Sequence, residues 1–130
     1  MSLSLKAVHH IAIICSDYKK SIAFYRDILG LALLSETYRP DRQSYKADLA
    51  LEGRYIIELF SFPSPPSRLS YPEAVGLRHL AFTVDDVSET VNILTGRGVV
   101  CEPIRRDKQT GKRFFFTADP DGLPIEFYEC

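Results

Sequence analysis

This chain of 130 residues repeats itself. His10-Ile-Ala-Ile-Ile-Cys-Ser-Asp17 aligns with His79-Leu-Ala-Phe-Thr-Val-Asp-Asp86, and Gly53-Arg-Tyr-Ile-Ile-Glu58 aligns with Gly122-Leu-Pro-Ile-Glu126 once one residue is deleted. The spans from His10 to Glu58 and from His79 to Glu126 are 48 and 47 residues. Self-similarity between the two halves of a chain is the mark of a duplicated supersecondary unit, so the fold must be built from two copies of one module. The duplication carried a histidine and a glutamate with it.

Each copy reads as βαβββ. Val8 to Ile14 is a β-branched, apolar run followed by Ser16 or Asp17 as a helix N-cap. Ile22, Tyr25, Ile28 and Leu29 recur at helical spacing, and Gly30 stands where a left-handed C-cap residue belongs. Strands are expected over 31–38, 45–51 and 55–62, with a turn at Glu52-Gly53. The second copy repeats this with a strand over 77–84, a helix capped by Asp85 or Asp86 and closed by Gly98, and strands over 99–104, 113–117 and 123–128. Asp119-Pro-Asp-Gly122 supplies the turn before the last strand. Module one thus covers about 6–62 and module two about 77–130. The proline-bearing stretch 63–76 reads as a stiff connector within a single domain, because proline cannot donate to a strand ladder. The fold class is α+β, two βαβββ modules forming a cupped mixed sheet.

Strand alternation sorts the faces. Ile11 and Ile13, Ile57 and Leu59, Leu80, Phe82 and Val84, and Ile125 and Phe127 point to the helix side. His10, Glu58, His79 and Glu126 point the other way, with the small Ala12 and Ala81 beside them. Two neutral imidazoles and two carboxylates on one face are the donor set of a borderline divalent ion, with positions left open for substrate oxygens. A lone strand histidine is more often structural, but matched duplication of both ligand types makes ligation the better reading, and a mid-strand glutamate between Ile57 and Leu59 would otherwise be costly. His9 is expected on the helix side as a structural imidazole. Asp119, Asp121 and Gly122 are assigned to turn structure. The basic stretch 105–113 reads either as a solvated loop or as a lid over an anionic group, with Arg113 as a candidate substrate contact.

A net charge of −1 and a pI near 6.3 exclude a bulk electrostatic attraction to nucleic acid or anionic membrane. No apolar run approaches spanning length and no cationic-then-apolar leader opens the chain, so a cytoplasmic protein is expected. Cys15, Cys101 and Cys130 lack metal-site spacing and read as reduced thiols.

With those residues in view, the chain resembles the vicinal oxygen chelate superfamily and, within it, glyoxalase I (lactoylglutathione lyase), nearest to the bacterial YaeR-type branch. The motifs are His10-Ile-Ala-Ile, Ser21-Ile-Ala-Phe-Tyr-Arg-Asp-Ile-Leu-Gly30, Ile57-Glu58-Leu59, Leu77-Arg-His79-Leu-Ala-Phe-Thr-Val-Asp85 and Asp119-Pro-Asp-Gly-Leu-Pro-Ile-Glu126. The resemblance implies a lyase or isomerase acting on a 2-oxoaldehyde–thiol hemithioacetal through a metal-stabilised enediolate. It implies metal ligation by His10, Glu58, His79 and Glu126, with Glu126 as the proton shuttle and Glu58 facing it. Nickel or zinc is the favoured metal, with cobalt, manganese or iron as other candidates. Two polar residues that grip glutathione in glyoxalase I correspond here to Ile14 and Phe62, so Ile14, Phe60 and Phe62 are expected to line an apolar substrate pocket. The competing readings are a ring-cleaving Fe(II) dioxygenase, against which a fourth protein ligand argues, and a non-catalytic binding member, against which four intact ligands argue. A small-molecule substrate and a homodimer are the expected partners.

Overall fold

The computed structural model describes residues 1–130 and divides into two compact units, Met1–Pro66 and Ser67–Cys130. Each unit is a βαβββ module with a four-stranded mixed sheet. In the first, β1 (Ile11–Cys15), β2 (Ala32–Arg39), β3 (Ser44–Leu51) and β4 (Arg54–Ser61) lie in the order β1-β4-β3-β2. In the second, β5 (Leu80–Val84), β6 (Arg105–Arg106), β7 (Arg113–Ala118) and β8 (Pro124–Glu129) repeat it as β5-β8-β7-β6. The parallel pair in each sheet joins the first strand to the last, and it fixes the register that matters: Ala12 pairs with Glu58 and Ala81 with Glu126.

The helices start as the sequence dictates. Asp17 accepts a hydrogen bond from the Lys20 amide and Asp86 from the Glu89 amide, each satisfying one of the orphan donors of a helix N-terminus. From there the modules part. α2 (Val87–Gly96) is a regular helix, whereas α1 (Tyr18–Ile22) passes into a π-helical stretch, Ala23–Ile28, whose Leu29 amide bonds to the Phe24 carbonyl. Gly30 and Gly98 close the two segments with positive φ. Between cap and glycine, module one has one residue more than module two, and the wider π turn takes up the surplus.

A second length difference is absorbed in the same way. Between the turn glycine and the glutamate, module one again has one extra residue. On β4 the register jumps from Leu49↔Ile57 to Ala50↔Tyr55, leaving Ile56 as a bulge, while β8 runs against β7 without interruption. The Glu52-Gly53 hairpin turn has positive φ at both residues, the geometry whose twist suits two antiparallel strands.

The buried faces are those expected from alternation. Tyr25, Ala47, Leu49, Ile57 and Leu59 are fully buried in the first unit, and Val87, Phe115 and Ile125 in the second. Other features differ from the sequence reading, β1 and β5 beginning only at Ile11 and Leu80. The strand expected over 99–104 does not form, because Pro103 has no amide to give, and a two-residue strand, Arg105–Arg106, follows instead; the Glu102 amide still bonds to the Phe116 carbonyl and the Val100 carbonyl accepts from the Thr117 hydroxyl. The second unit begins inside the expected connector, where the Arg68 guanidinium bonds to Ser70 and to the Leu77 and Arg78 carbonyls. The 105–113 stretch is a closed hairpin: the Asp107 amide bonds to the Lys112 carbonyl, Arg106 to the Gly111 carbonyl, and Tyr128 to both Asp107 and Thr110. No helix is long and apolar enough to cross a membrane.

Candidate metal centre

Each unit brings one histidine to one glutamate. His10 precedes β1 and its Nε2 lies 3.5 Å from Glu58 Oε1; His79 precedes β5 and its Nε2 lies 3.2 Å from Glu126 Oε1. These contacts are at the long end of hydrogen bonding. They fit another arrangement better. Two donors each about 2.1 Å from one ion stand about 3.0 Å apart at a right angle and about 3.4 Å apart at the tetrahedral angle. Both pairs are therefore spaced as neighbouring ligands of a divalent ion. Neither unit by itself gathers three such donors.

The imidazoles are backed differently. His10 stacks flat on Tyr55, with centroids 4.9 Å apart at 3°, and its Nδ1 lies 2.8 Å from Nδ1 of His9. With the His10 Nδ1–H as donor in that contact, the Nε2 lone pair is left facing Glu58, which is how an outer partner prepares a ligating histidine. His9 is thus exposed beside His10 and not on the helix side, because both residues lie before the first strand residue, where alternation has not yet begun. His79 Nδ1 is buried without a partner, and Phe116 meets the ring edge-on at 5.1 Å. Nε2 is the outlet this imidazole has left, and it faces the carboxylate.

The glutamates also have different neighbours. Across the sheet from Glu58 stands Asp48, and Lys46 bridges the two at 3.0 Å from Asp48 and 3.4 Å from Glu58. Burial works against the Asp48 carboxylate, but hydrogen bonds from Lys46, Ser35 and Tyr55 outweigh it and hold its pKa below the usual range. Burial and then the bond to Asp48 push the Tyr55 hydroxyl well up, so it stays protonated and donates. Across from Glu126 stands Phe116. Phe114 and Phe116 are covered by the Arg105 guanidinium at 5.1 and 5.6 Å. A cavity of about 510 Å³ opens here within the second unit, walled by His79, Phe116, Arg78, Arg105 and Tyr71.

The remaining sequence candidates fall as follows. Ile14 is 56% exposed and pairs with Phe60, on Glu58's face. Phe60 and Phe62 stack 5.9 Å apart as expected of a pocket floor, but two arginines lie on them: Arg39 is 4.9 Å above Phe60 and Arg42 is 5.1 Å above Phe62. The patch is cationic as well as apolar, which the linear spacing of 39, 42, 60 and 62 concealed. Arg113 spends its donors within its own unit, on both oxygens of Glu129 and on Ser88, and does not line the cavity. Asp119 is buried and accepts from the Asp121 and Leu123 amides, the turn role assigned to it.

The duplicated βαβββ modules match a known family. Residues 7–127 match the Glyoxalase/Bleomycin resistance protein/Dioxygenase superfamily, and the chain belongs to it. It is 63% identical over 127 residues to the protein YaeR of Escherichia coli, covering 98% of each chain. A solved glyoxalase family protein from Enterococcus faecalis superposes with a TM-score of 0.89 at 44% identity, over 95% of this chain and 98% of that one. At greater distance lies the metallothiol transferase FosB of Staphylococcus saprophyticus, 31% identical over 95% of this chain and 77% of its own.

Proposed function

We propose that the protein is a metal-dependent lyase or isomerase of glyoxalase I type, acting on a small substrate with two adjacent oxygens such as a 2-oxoaldehyde–thiol hemithioacetal. His10, Glu58, His79 and Glu126 are the donors to one divalent ion, nickel or zinc being favoured by two imidazoles with two carboxylates. The observation that carries this reading is the spacing of both His–Glu pairs, each set at the same register of its sheet and each fit for two adjacent positions on one ion. A divalent ion supplies Lewis acidity there, polarising substrate oxygens and offsetting the negative charge that develops when a neighbouring carbon loses its proton.

The residues divide the remaining work unevenly. Glu58 has both oxygens engaged, Oε1 near His10 and Oε2 near Lys46, and serves as a fixed anionic donor. Glu126 touches His79 through one oxygen and faces Phe116 across the sheet, so its second oxygen is the group available to take a proton from one carbon and return it to the next. Phe114 and Phe116 give that side an apolar wall, with the Arg105 guanidinium over the rings. The outer strands of each sheet lack a hydrogen-bonded neighbour, which supports association as a homodimer.

Metal content of the purified protein and solvent deuterium exchange into methylglyoxal hemithioacetals of several thiols test the reading together. One ion per His2Glu2 set, with exchange lost in a metal-loaded Glu126→Gln protein, is the expected result. Exchange retained in that protein moves the base to Glu58, and no exchange with any thiol in the metal-loaded wild type removes the isomerase assignment.

A further inference from the structure

The cationic patch of the first unit answers a question that the metal donors leave open: what kind of molecule the site is shaped to hold. Arg39 at the end of β2 pairs with Ser44 of β3, and its Nη2 bonds to Ser44 Oγ at 3.0 Å. Its Nε is buried with no partner. A buried guanidinium N–H left unpaired is costly and rare in folded proteins, and it marks a place where an acceptor is missing. Arg42 stands beside it over Phe62, and Arg39 is 4.9 Å over Phe60 and 5.9 Å over Phe62. Neither arginine is ion-paired, whereas Lys46 on the same face is paired twice. The local excess of positive charge is thus carried by two guanidiniums whose faces are spent on aromatic rings and whose edges remain for a ligand.

The placement relates this patch to the metal donors. Lys46 pairs with Phe60 and Asp48 with Glu58, so Glu58, Phe60 and the arginine above it share one face of one sheet. Glu58 and Phe60 are two strand residues apart, roughly 7 Å. That is the length of a short organic molecule. We infer that Arg39 and Arg42 form the subsite for a carboxylate at the far end of the substrate, with Phe60 and Phe62 as the floor beneath it. A carboxylate is planar and can lie wholly in the plane of a stacked guanidinium, taking two parallel N–H bonds at its edge, whereas a phosphoryl group making the same two bonds carries a further oxygen out of that plane, where the aromatic floor offers it no donor. This inference rests on the proposed function for the other end of the substrate, and it reverses the expectation of a purely apolar pocket.

Binding of phenylacetate, phenylacetamide and phenylphosphonate to the EDTA-treated full-length protein, followed by NMR titration, tests it without help from a metal. The wild type should bind phenylacetate at least about tenfold more tightly than the amide, the worth of one bidentate charge-assisted contact. Arg39→Met, which keeps an unbranched apolar side chain but removes the guanidinium over Phe60, should erase that preference, Arg42→Met should reduce it, and Arg39→Lys should restore only part. Between about 0.05 and 0.5 M salt the preference should fall in the wild type, a measurement that stands even if a variant does not fold. Equal affinity for acid and amide, a preference untouched by both methionine variants or by salt, or tighter binding of the phosphonate would each overturn the inference. Loss of metal binding with this preference intact would sink the functional reading alone.

Discussion

The two modules share a register and almost nothing else around it. In both, an alanine of the first strand sits opposite the glutamate and the histidine lies within 3.5 Å of it. Module one surrounds that pair with a charged and hydroxyl-bearing collar of His9, Tyr55, Asp48, Lys46 and Ser35; module two surrounds it with Phe114, Phe116 and a cavity. Duplication therefore supplied equal His–Glu pairs, and divergence gave the two pairs different surroundings. The donor geometry is set by backbone pairing, which tolerates no slip, whereas the collar consists of side chains that change one at a time.

The largest test concerns the cores that hold the two registers. Ile57 and Ile125 are equivalent and fully buried, so Ile57→Ala and Ile125→Ala should each cost about 2–5 kcal/mol in chemical denaturation. A gap of more than about 1 kcal/mol between them would show that the modules are not supported alike. Next comes the division of labour. Glu126→Asp, shortened by one methylene, should keep its metal and lose roughly 10²-fold or more in kcat, while Glu58→Asp should lose less; equal losses in steady-state kinetics would erase the asymmetry. Glu58→Gln should weaken metal binding by about tenfold or more in a competition titration, and an unchanged affinity would remove Glu58 from the ligand set. The smallest effect belongs to Lys46. Because it competes with a cation for Glu58, Lys46→Met should tighten metal binding by a few-fold, about 1 kcal/mol or less for a partly exposed pair, and weaker binding would give Lys46 a supporting role instead.

Much of this was legible in the sequence because repetition and alternation are properties of the backbone. The two His–Glu pairs, the caps at Asp17 and Asp86 and the glycines at 30 and 98 follow from spacing alone. His9 was misplaced because alternation was carried back past the start of β1. Arg39 and Arg42 were missed because the contact that gives them meaning joins the end of β2 to the end of β4, and no local pattern announces it. The π-helical stretch was missed because Ile22, Tyr25, Ile28 and Leu29 satisfy an α-helical stripe equally well. The strand expected over 99–104 failed at Pro103, whose lack of a donor should have counted for more than the apolar run around it.

The bulge at Ile56 and the π turn before Gly30 have a consequence for how such a chain can change over generations. In a strand, one residue gained or lost turns every later side chain to the opposite face, so an insertion reaching Glu58 would point it into the core. Here each surplus residue is cancelled within a few positions of where it occurs. Insertions and deletions are thereby quarantined, and a gene encoding this fold can drift in length at those two joints while Glu58 keeps its face and its partner His10.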